Sequence, residues 1–321
     1  MADTKAEPAC TRLFVKLVAG SPQRWQVICD AVLASDEPAP SAIAALLDPV
    51  SEDRELLKKN RGQLITKCLQ TTVELKSVAR SRAQAFSPLF LHATHEEFEP
   101  IAAAMARNFK RQPNSAIPNA PPILKQVRCD LSRYAQDLLE GSLERLQSKD
   151  SDEREEAAQL WRAVALQSSE YQTVFGVAER LAADIPKQTS AGKQGAMLGL
   201  DSLSYATAPL DERAKFYSTL LTKDSPLTSA TLQESEELRL LAIPVCGRLI
   251  RLSGGRAGAD LLAKWATAMA DQKKTPDKLR AAYVSAVAVV VDKRLPEWSG
   301  LQDTSWAEAM ADQLLAVVQS I

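Results

Sequence analysis

The chain is poor in the residues on which most enzymes and sheet proteins depend. It has two histidines among 321 residues, so acid–base catalysis by histidine has little to draw on. Aromatics make up 5% and glycine numbers 12. Val, Ile and Thr almost never alternate with polar residues, which argues against a sheet. No apolar stretch approaches the about 18 residues that a membrane span needs. The N-terminus, MADTKAEPACTRLFVKLVAG, has no basic start followed by an unbroken apolar core, so it is a poor secretory signal. The five cysteines (Cys10, Cys29, Cys68, Cys129 and Cys246) are scattered and never in C-x-x-C spacing. That pattern predicts reduced core thiols in a cytosolic or nuclear protein, with cytoplasmic localisation as the expectation.

What is abundant is alanine and leucine, both strong helix formers. The most informative stretch is DLSRYAQDLLEGSLERLQSKDSDEREEAAQLWRAVALQ, residues 130–167. Leu131, Tyr134, Ala135 and Leu138 fall at i, i+3, i+4 and i+7, and Leu139, Leu143 and Leu146 widen the stripe. Ala157, Leu160, Trp161 and Val164 repeat the spacing. Only a 3.6-residue period puts those side chains on one face. Asp150, with Glu153 three residues on, predicts a capping box that opens the second helix. Each helix is apolar along one side, so the pair needs neighbours to bury it.

The hairpin recurs. Second helices are predicted to start near Ser151, Ser190, Glu234 and Thr275, about 40 residues apart, with weaker placements near Lys76 and Ser115. A period near 40 with two helices per unit fits HEAT or armadillo repeats and not the 34-residue tetratricopeptide repeat. The late unit GRAGADLLAKWATAMADQKKTPDKLRAAYVSAVAVVV offers Leu262, Trp265, Ala266 and Met269, then Leu279, Ala282, Tyr283 and Ala286. Thr275-Pro276 supplies its cap and first-turn pair. Breaks fall at Glu37-Pro38-Ala39-Pro40 and at Gln112–Pro122, the latter after a helix opened by Thr94 and Glu97. The expected fold is all-α: one HEAT/armadillo-like α-solenoid over 1–321, with less regular helices over 1–50 and the clearest repeats over 130–291. The final stripe, Met310, Leu314, Val317, Val318 and Ile321, has no polar cap after it. Either it folds back on the preceding pair or the chain is a piece of a longer array.

Motifs for chemistry are weak. His92-Ala93-Thr94-His95-Glu96-Glu97 is not H-E-x-x-H and reads as a solvated helix start with acids near the positive end of the dipole. Ala191-Gly192-Lys193-Gln194-Gly195 lacks the upstream glycine and the following Ser or Thr of a phosphate loop. Ser253–Gly258 is glycine-rich but follows no strand, so it reads as a loop before a helix. Trp161 and Trp265 sit on helix stripes and read as core. No enzyme, cofactor or metal site is expected.

Charge supplies the one candidate site. Residues 54–133 carry 14 basic against 6 acidic side chains, while the segments on both sides are net acidic. Lys58, Lys59 and Arg61 open the block. Lys76, Arg80 and Arg82 follow, with Lys76 and Arg80 spaced for one helical face. Arg107, Lys110 and Arg111 crowd the end of the Thr94 helix, where cations also complement the dipole. Lys125, Arg128 and Arg133 close it. Charge runs usually face water, so the plain reading is a solvated surface of scattered charges. The functional reading is a phosphate-facing ridge, Lys76, Arg80, Arg82, Arg107, Lys110, Arg111, Lys125 and Arg128, because stacked repeats would place these clusters on adjacent units.

The peptides RSRAQAFSPLF, FKRQPNSAIPNAPPIL, CDLSRYAQDLLEGSLERLQSKDSDEREEAAQLWRAVALQSSE and KWATAMADQKKTPDKLRAAY, from about Arg80 to about Tyr283, carry a resemblance. Together they resemble the N-terminal helical-repeat region of the general-control translational activator. That family is a giant HEAT-repeat protein which activates the amino-acid-starvation kinase acting on initiation factor two. The resemblance implies a non-enzymatic scaffold whose partners are the ribosome and translation-associated proteins, with ribosomal RNA contact and no membrane. The family's central elongation-factor-like repeats and kinase-binding region lie beyond the matched part, so a kinase partner would be met through regions outside these residues. The rival expectation is a generic HEAT-type adaptor, such as a transport receptor or phosphatase scaffold, that binds protein on its concave face.

Overall fold

A computed structural model describes residues 7–36, 39–47, 54–74, 95–111, 124, 130–255, 257–271 and 273–291. Every regular element among them is helical, as expected. The chain divides into two compact units, Met1–Leu143 and Glu144–Ile321.

In the first unit, α1 (Glu7–Val18) and α2 (Pro22–Ala34) are joined through Gly20, whose φ of +68° is open to glycine at little cost. Ser21 caps α2 by accepting the Arg24 N–H at 3.4 Å, and Pro22 takes the first helical position, where its missing N–H is no loss. α3 (Pro40–Leu46) packs on both. Trp25 is buried, and its indole N–H donates to the Leu46 carbonyl at 3.2 Å, satisfying an acceptor left open at the end of α3. α4 (Arg54–Glu74) packs on α2, where buried Asn60 donates to the Gln26 side chain at 3.2 Å. α5 (His95–Arg111) buries Phe98, Ala102, Met105, Ala106 and Phe109 along one stripe. It packs against α4 and α6 (Ser132–Gly141).

The helix that carries Leu131 and Leu138 ends earlier than the apolar stripe suggests. The stripe runs to Leu146, yet α6 stops at Gly141, and Leu143–Leu146 form a separate short helix, α7. Glycine is a weak helix former. The hydroxyl of buried Ser142 donates back to the Leu138 carbonyl at 2.8 Å, competing with continuation of the backbone ladder. The glycine also has a packing reason, since a Cβ there would stand 3.0 Å from the Phe109 Cβ.

The second unit is an α-solenoid. Its helices are α8 (Ser151–Gln167), α9 (Tyr171–Asp184), α10 (Ser190–Leu203), α11 (Leu210–Leu220), α12 (Pro226–Leu232), α13 (Glu236–Leu252), α14 (Ala259–Ala270) and α15 (Asp277–Val291). The second helices of successive hairpins begin at Ser151, Ser190, Glu236 and Asp277, within two residues of the expected starts. They stack in order, α8 on α10, α10 on α13 and α13 on α15. First helices lean on their own partners: α9 on α10, α12 on α13, α14 on α15. Contact with the next repeat is the organising rule of a solenoid. The third hairpin departs from the pattern because its first helix is split. Leu221–Asp224 interrupt it before Ser225 caps α12, accepting the Thr228 N–H at 3.1 Å.

The stripes read from spacing are the core. Ala157, Leu160, Trp161 and Val164 are buried, as are Leu262, Trp265, Ala266, Met269, Leu279, Tyr283 and Ala286. A fully buried side chain of the larger kinds contributes about 1.5–3 kcal/mol. Polar bonds then join neighbouring repeats. Arg154 donates to Gln194 at 2.9 Å, Gln194 to Glu237 at 2.7 Å and Lys193 to Glu234 at 2.5 Å, across 40, 43 and 41 residues. Among the described residues, no helix is long and apolar enough to cross a membrane.

Candidate functional site

The structure places the basic block on α4, α5 and α6. Lys58 and Lys59 are exposed on α4, and Arg61 is half-buried on the same helix. Arg107 is exposed on α5, and the backbone of Lys110 and Arg111 completes that helix. Lys76, Arg80, Arg82, Lys125 and Arg128 lie outside the described residues, as do Thr94, the helix starts near Lys76 and Ser115, the Gln112–Pro122 stretch and the final apolar stripe.

At the α5–α6 contact, several charges converge on Tyr134. Arg133 Nη1 donates to Glu99 Oε1 at 2.6 Å, and the Tyr134 hydroxyl donates to the same oxygen at 3.3 Å. The Arg133 guanidinium lies 5.8 Å from the centre of the Tyr134 ring. Burial and the Glu99 carboxylate push the Tyr134 phenol up, while Arg133 and Arg107 pull it down. Arg107 and Arg133 therefore share one neighbourhood around Tyr134. Part of their charge is spent within it, however, because Glu99 neutralises Arg133. The sequence places Glu99 34 residues from Arg133 and offers no cue that they meet. Within the described part of the block, Lys58, Lys59, Arg107 and Arg133 are exposed, and Arg133 is the one that Glu99 pairs.

The glycine motifs resolve into packing. Gly192–Gly195 lie inside α10, capped by Thr189, which accepts the Gly192 N–H at 3.2 Å. A Cβ on Gly195 would stand 1.8 Å from the Leu146 carbonyl oxygen, so this glycine lets two backbones touch. Ser253–Gly258 form the expected loop, with Gly254, Gly255 and Gly258 all at positive φ before α14. Arg256 lies outside the described residues, as do His92 and Ala93. Among the described residues no three His, Cys, Asp or Glu side chains group to hold a metal. Cys29 and Cys246 are buried thiols, whereas Cys10 is exposed on α1, contrary to the core placement expected of it.

A second site has no counterpart in the sequence reading. The turn after α10, together with α11, α13 and α15, walls a groove of about 900 Å³. Arg213, Arg248 and Arg251 line it, beside Tyr205, Pro244 and Val289. Arg248 Nε pairs with Asp201 at 3.1 Å, and its Nη1 donates to the Tyr205 hydroxyl. Arg162 covers the Tyr205 ring at 3.8 Å. Burial pushes the Asp201 carboxyl up, and Arg248 and Arg162 offset that. The cue in the sequence was slight: Arg248 and Arg251 lie one turn apart on α13, while Arg213 comes from the first helix of that hairpin and Tyr205 from the turn before it.

Comparison with known proteins adds identity to this geometry. Residues 61–194 match the family described as "Stalled ribosome sensor GCN1 N-terminal". Protein ILITYHIA of Arabidopsis thaliana is 27% identical over 177 residues, which is 52% of this chain and 6% of that protein. The chain thus spans a small part of that relative's length. Among solved structures, an engineered protein is similar at 16% identity and a TM-score of 0.36, covering 99% of this chain and 86% of that one. A designed armadillo repeat protein is similar at 13% identity and a TM-score of 0.31, covering 78% of this chain and 99% of that one. The resemblance read between Arg80 and Tyr283 is matched from residue 61 to residue 194. Over those residues the chain is similar to the N-terminal region of the GCN1 stalled-ribosome sensor.

Proposed function

We propose that this chain is a non-enzymatic scaffold of translational control that associates with ribosomes and supports the starvation kinase acting on initiation factor two. The observation that carries the reading is the match of residues 61–194 to the N-terminal region of a stalled-ribosome sensor. The matched segment includes most of the basic block and the first stacked repeats. A scaffold of this kind needs surfaces and no catalytic centre, and a cytoplasmic setting goes with it. The surface assigned to the ribosome is the basic block, where Lys58, Lys59 and Arg107 stand exposed and Lys76, Arg80 and Arg82 add charge in the sequence between them. Guanidinium and ammonium groups meet phosphates without reading bases, so the contact is salt-sensitive and tolerant of RNA sequence.

Co-sedimentation with polysomes tests it. The full chain is expected to travel with polysomes and to be released by RNase or high salt. Lys76→Glu, Arg80→Glu and Arg82→Glu together should weaken association and flatten its logarithmic salt dependence by about 2–3, at about 0.9 per duplex phosphate contact. Unchanged association in that triple variant removes the basic block from the interface. Absence of the wild-type chain from polysomes removes the ribosome.

A further inference from the structure

We propose that the groove beside Tyr205 in the second unit docks an acidic peptide segment of a partner protein, with carboxylates on Arg213 and Arg251 and aliphatic side chains against Pro244 and Val289. The site is separate from the basic block and does not depend on ribosome binding. Three arginines reach the groove, and they are not equivalent. Arg248 is committed to Asp201 and Tyr205. Arg213 and Arg251 have no ion-pair partner among the described residues, and the Nε of each is buried without a hydrogen-bond acceptor. The positive charge of these two groups is not offset by a carboxylate, so it favours an arriving anion.

The rest of the lining selects among anions. Val289 is an exposed large aliphatic side chain in the groove, with the Pro244 ring nearby. Such surface suits the alternating side chains of a peptide. Single-stranded nucleic acid gains most where its bases stack on an aromatic face. Among the described residues the one aromatic ring lining the groove is Tyr205, and Arg162 and Arg248 lie 3.8 and 5.0 Å from its centre. The surrounding chain is also unfavourable to a long polyanion, since residues 134–321 carry 21 basic against 26 acidic side chains. A short acidic peptide meets two arginines locally and escapes that wider repulsion. A volume of about 900 Å³ holds several side chains rather than a single small ion.

The test measures fluorescence anisotropy of a labelled decapeptide in which Glu and Asp alternate with Leu and Val, added to the full chain. Its amide counterpart, with Gln and Asn, and a ten-nucleotide oligouridylate serve as competitors. The acidic peptide is expected to bind about tenfold tighter than the amide peptide, and the double variant Arg213→Gln/Arg251→Gln to lose about tenfold. Val289→Glu, at an exposed position that keeps the helix, should weaken binding similarly by placing like charge in the groove. Lys58→Glu/Lys59→Glu, on the first unit, should leave it unchanged. Equal binding of the acidic and amide peptides overturns the proposal. So does binding unmoved by either groove change, or an oligouridylate that displaces the acidic peptide as strongly as the peptide displaces itself.

Discussion

The two units reach a helical fold by different means. In the second, hairpins follow one another at a nearly constant interval, and each second helix rests on the next. Several polar bonds between repeats span 40 to 44 residues, from Arg154–Gln194 to Arg239–Tyr283, while Trp265–Thr231 spans 34 and Tyr283–Thr231 spans 52. In the first unit the corresponding polar bonds, Asn60–Gln26 and Arg133–Glu99, span 34. There α1 rests on α3 rather than on a periodic successor, and a single indole, Trp25, closes the end of α3. Periodicity therefore lets one rule specify the second unit many times over, whereas the first depends on individual contacts that occur once.

That contrast can be broken most strongly at the tryptophans. Trp161→Ala should cost the second unit about 3–5 kcal/mol, the usual range for emptying a large buried aromatic site. Buried thiols report on each unit once Cys10, Cys68 and Cys129 are replaced, leaving Cys29 in the first and Cys246 in the second. Burial and Asp30 push the Cys29 thiol up to about 11, so at pH 8 only about 1 in 1,000 of these groups is thiolate, and labelling waits for the site to open. Cys246 is likewise pushed up by burial. In Trp161→Ala, labelling of Cys246 should accelerate while that of Cys29 holds, because a repeat feels damage chiefly through its neighbours. Trp25→Ala should accelerate Cys29.

Glycines sharpen the comparison because one substitution has opposite signs. Gly195→Ala drives a Cβ to 1.8 Å from the Leu146 carbonyl oxygen, a backbone atom that cannot step aside. Overpacking of this kind costs about 3 kcal/mol. Gly62 sits exposed within α4 with nothing within 4 Å of a Cβ. Gly62→Ala should stabilise the first unit by about 0.5–1 kcal/mol by restricting the unfolded chain. Urea unfolding with the same thiol readout measures both.

The sequence made the second unit legible because its signal is repeated. Spacing alone located α8, α10, α13 and α15 and named buried residues on α8 and α15. It missed what depends on long-range approach. The break at Gly141–Ser142 follows from Phe109, more than thirty residues earlier. The division of the third first helix at Leu221–Asp224 was marked in the sequence only by Ser225-Pro226 and the polar residues before it. The basic block was visible as composition, yet its partial neutralisation by Glu99 was not. The arginine groove was invisible because its walls come from three hairpins, each unremarkable by itself.

A smaller effect tests how the repeats are joined. Tyr283 donates to the Thr231 carbonyl at 2.6 Å and accepts from Arg239 at 2.8 Å. Tyr283→Phe removes both bonds, but the Thr231 carbonyl still accepts from Arg239 Nε at 3.2 Å, so the cost should be about 1 kcal/mol. The shape of the core is kept, so the loss should appear in the midpoint of urea unfolding with its slope unchanged.

The smallest effect separates a cap from a capping box at the start of α8. The sequence pairs Asp150 with Glu153, each satisfying the other's backbone N–H. The structure keeps half of this: Asp150 accepts the Asp152 N–H at 2.8 Å, but its own N–H donates to the Ser148 hydroxyl at 3.1 Å. Glu153 turns instead toward Arg145, 3.5 Å away, an arginine held more closely by Glu156 at 2.8 Å. Asp150→Ala should therefore cost about 1 kcal/mol, the ordinary value of a lost cap. Glu153→Ala should cost under about 0.5 kcal/mol, because Arg145 keeps Glu156 and only a distant, partly exposed pair is lost. A cost near 1 kcal/mol for Glu153→Ala, by urea unfolding, would mean that the reciprocal bond forms in solution. The helix start would then obey the local rule that the sequence suggested.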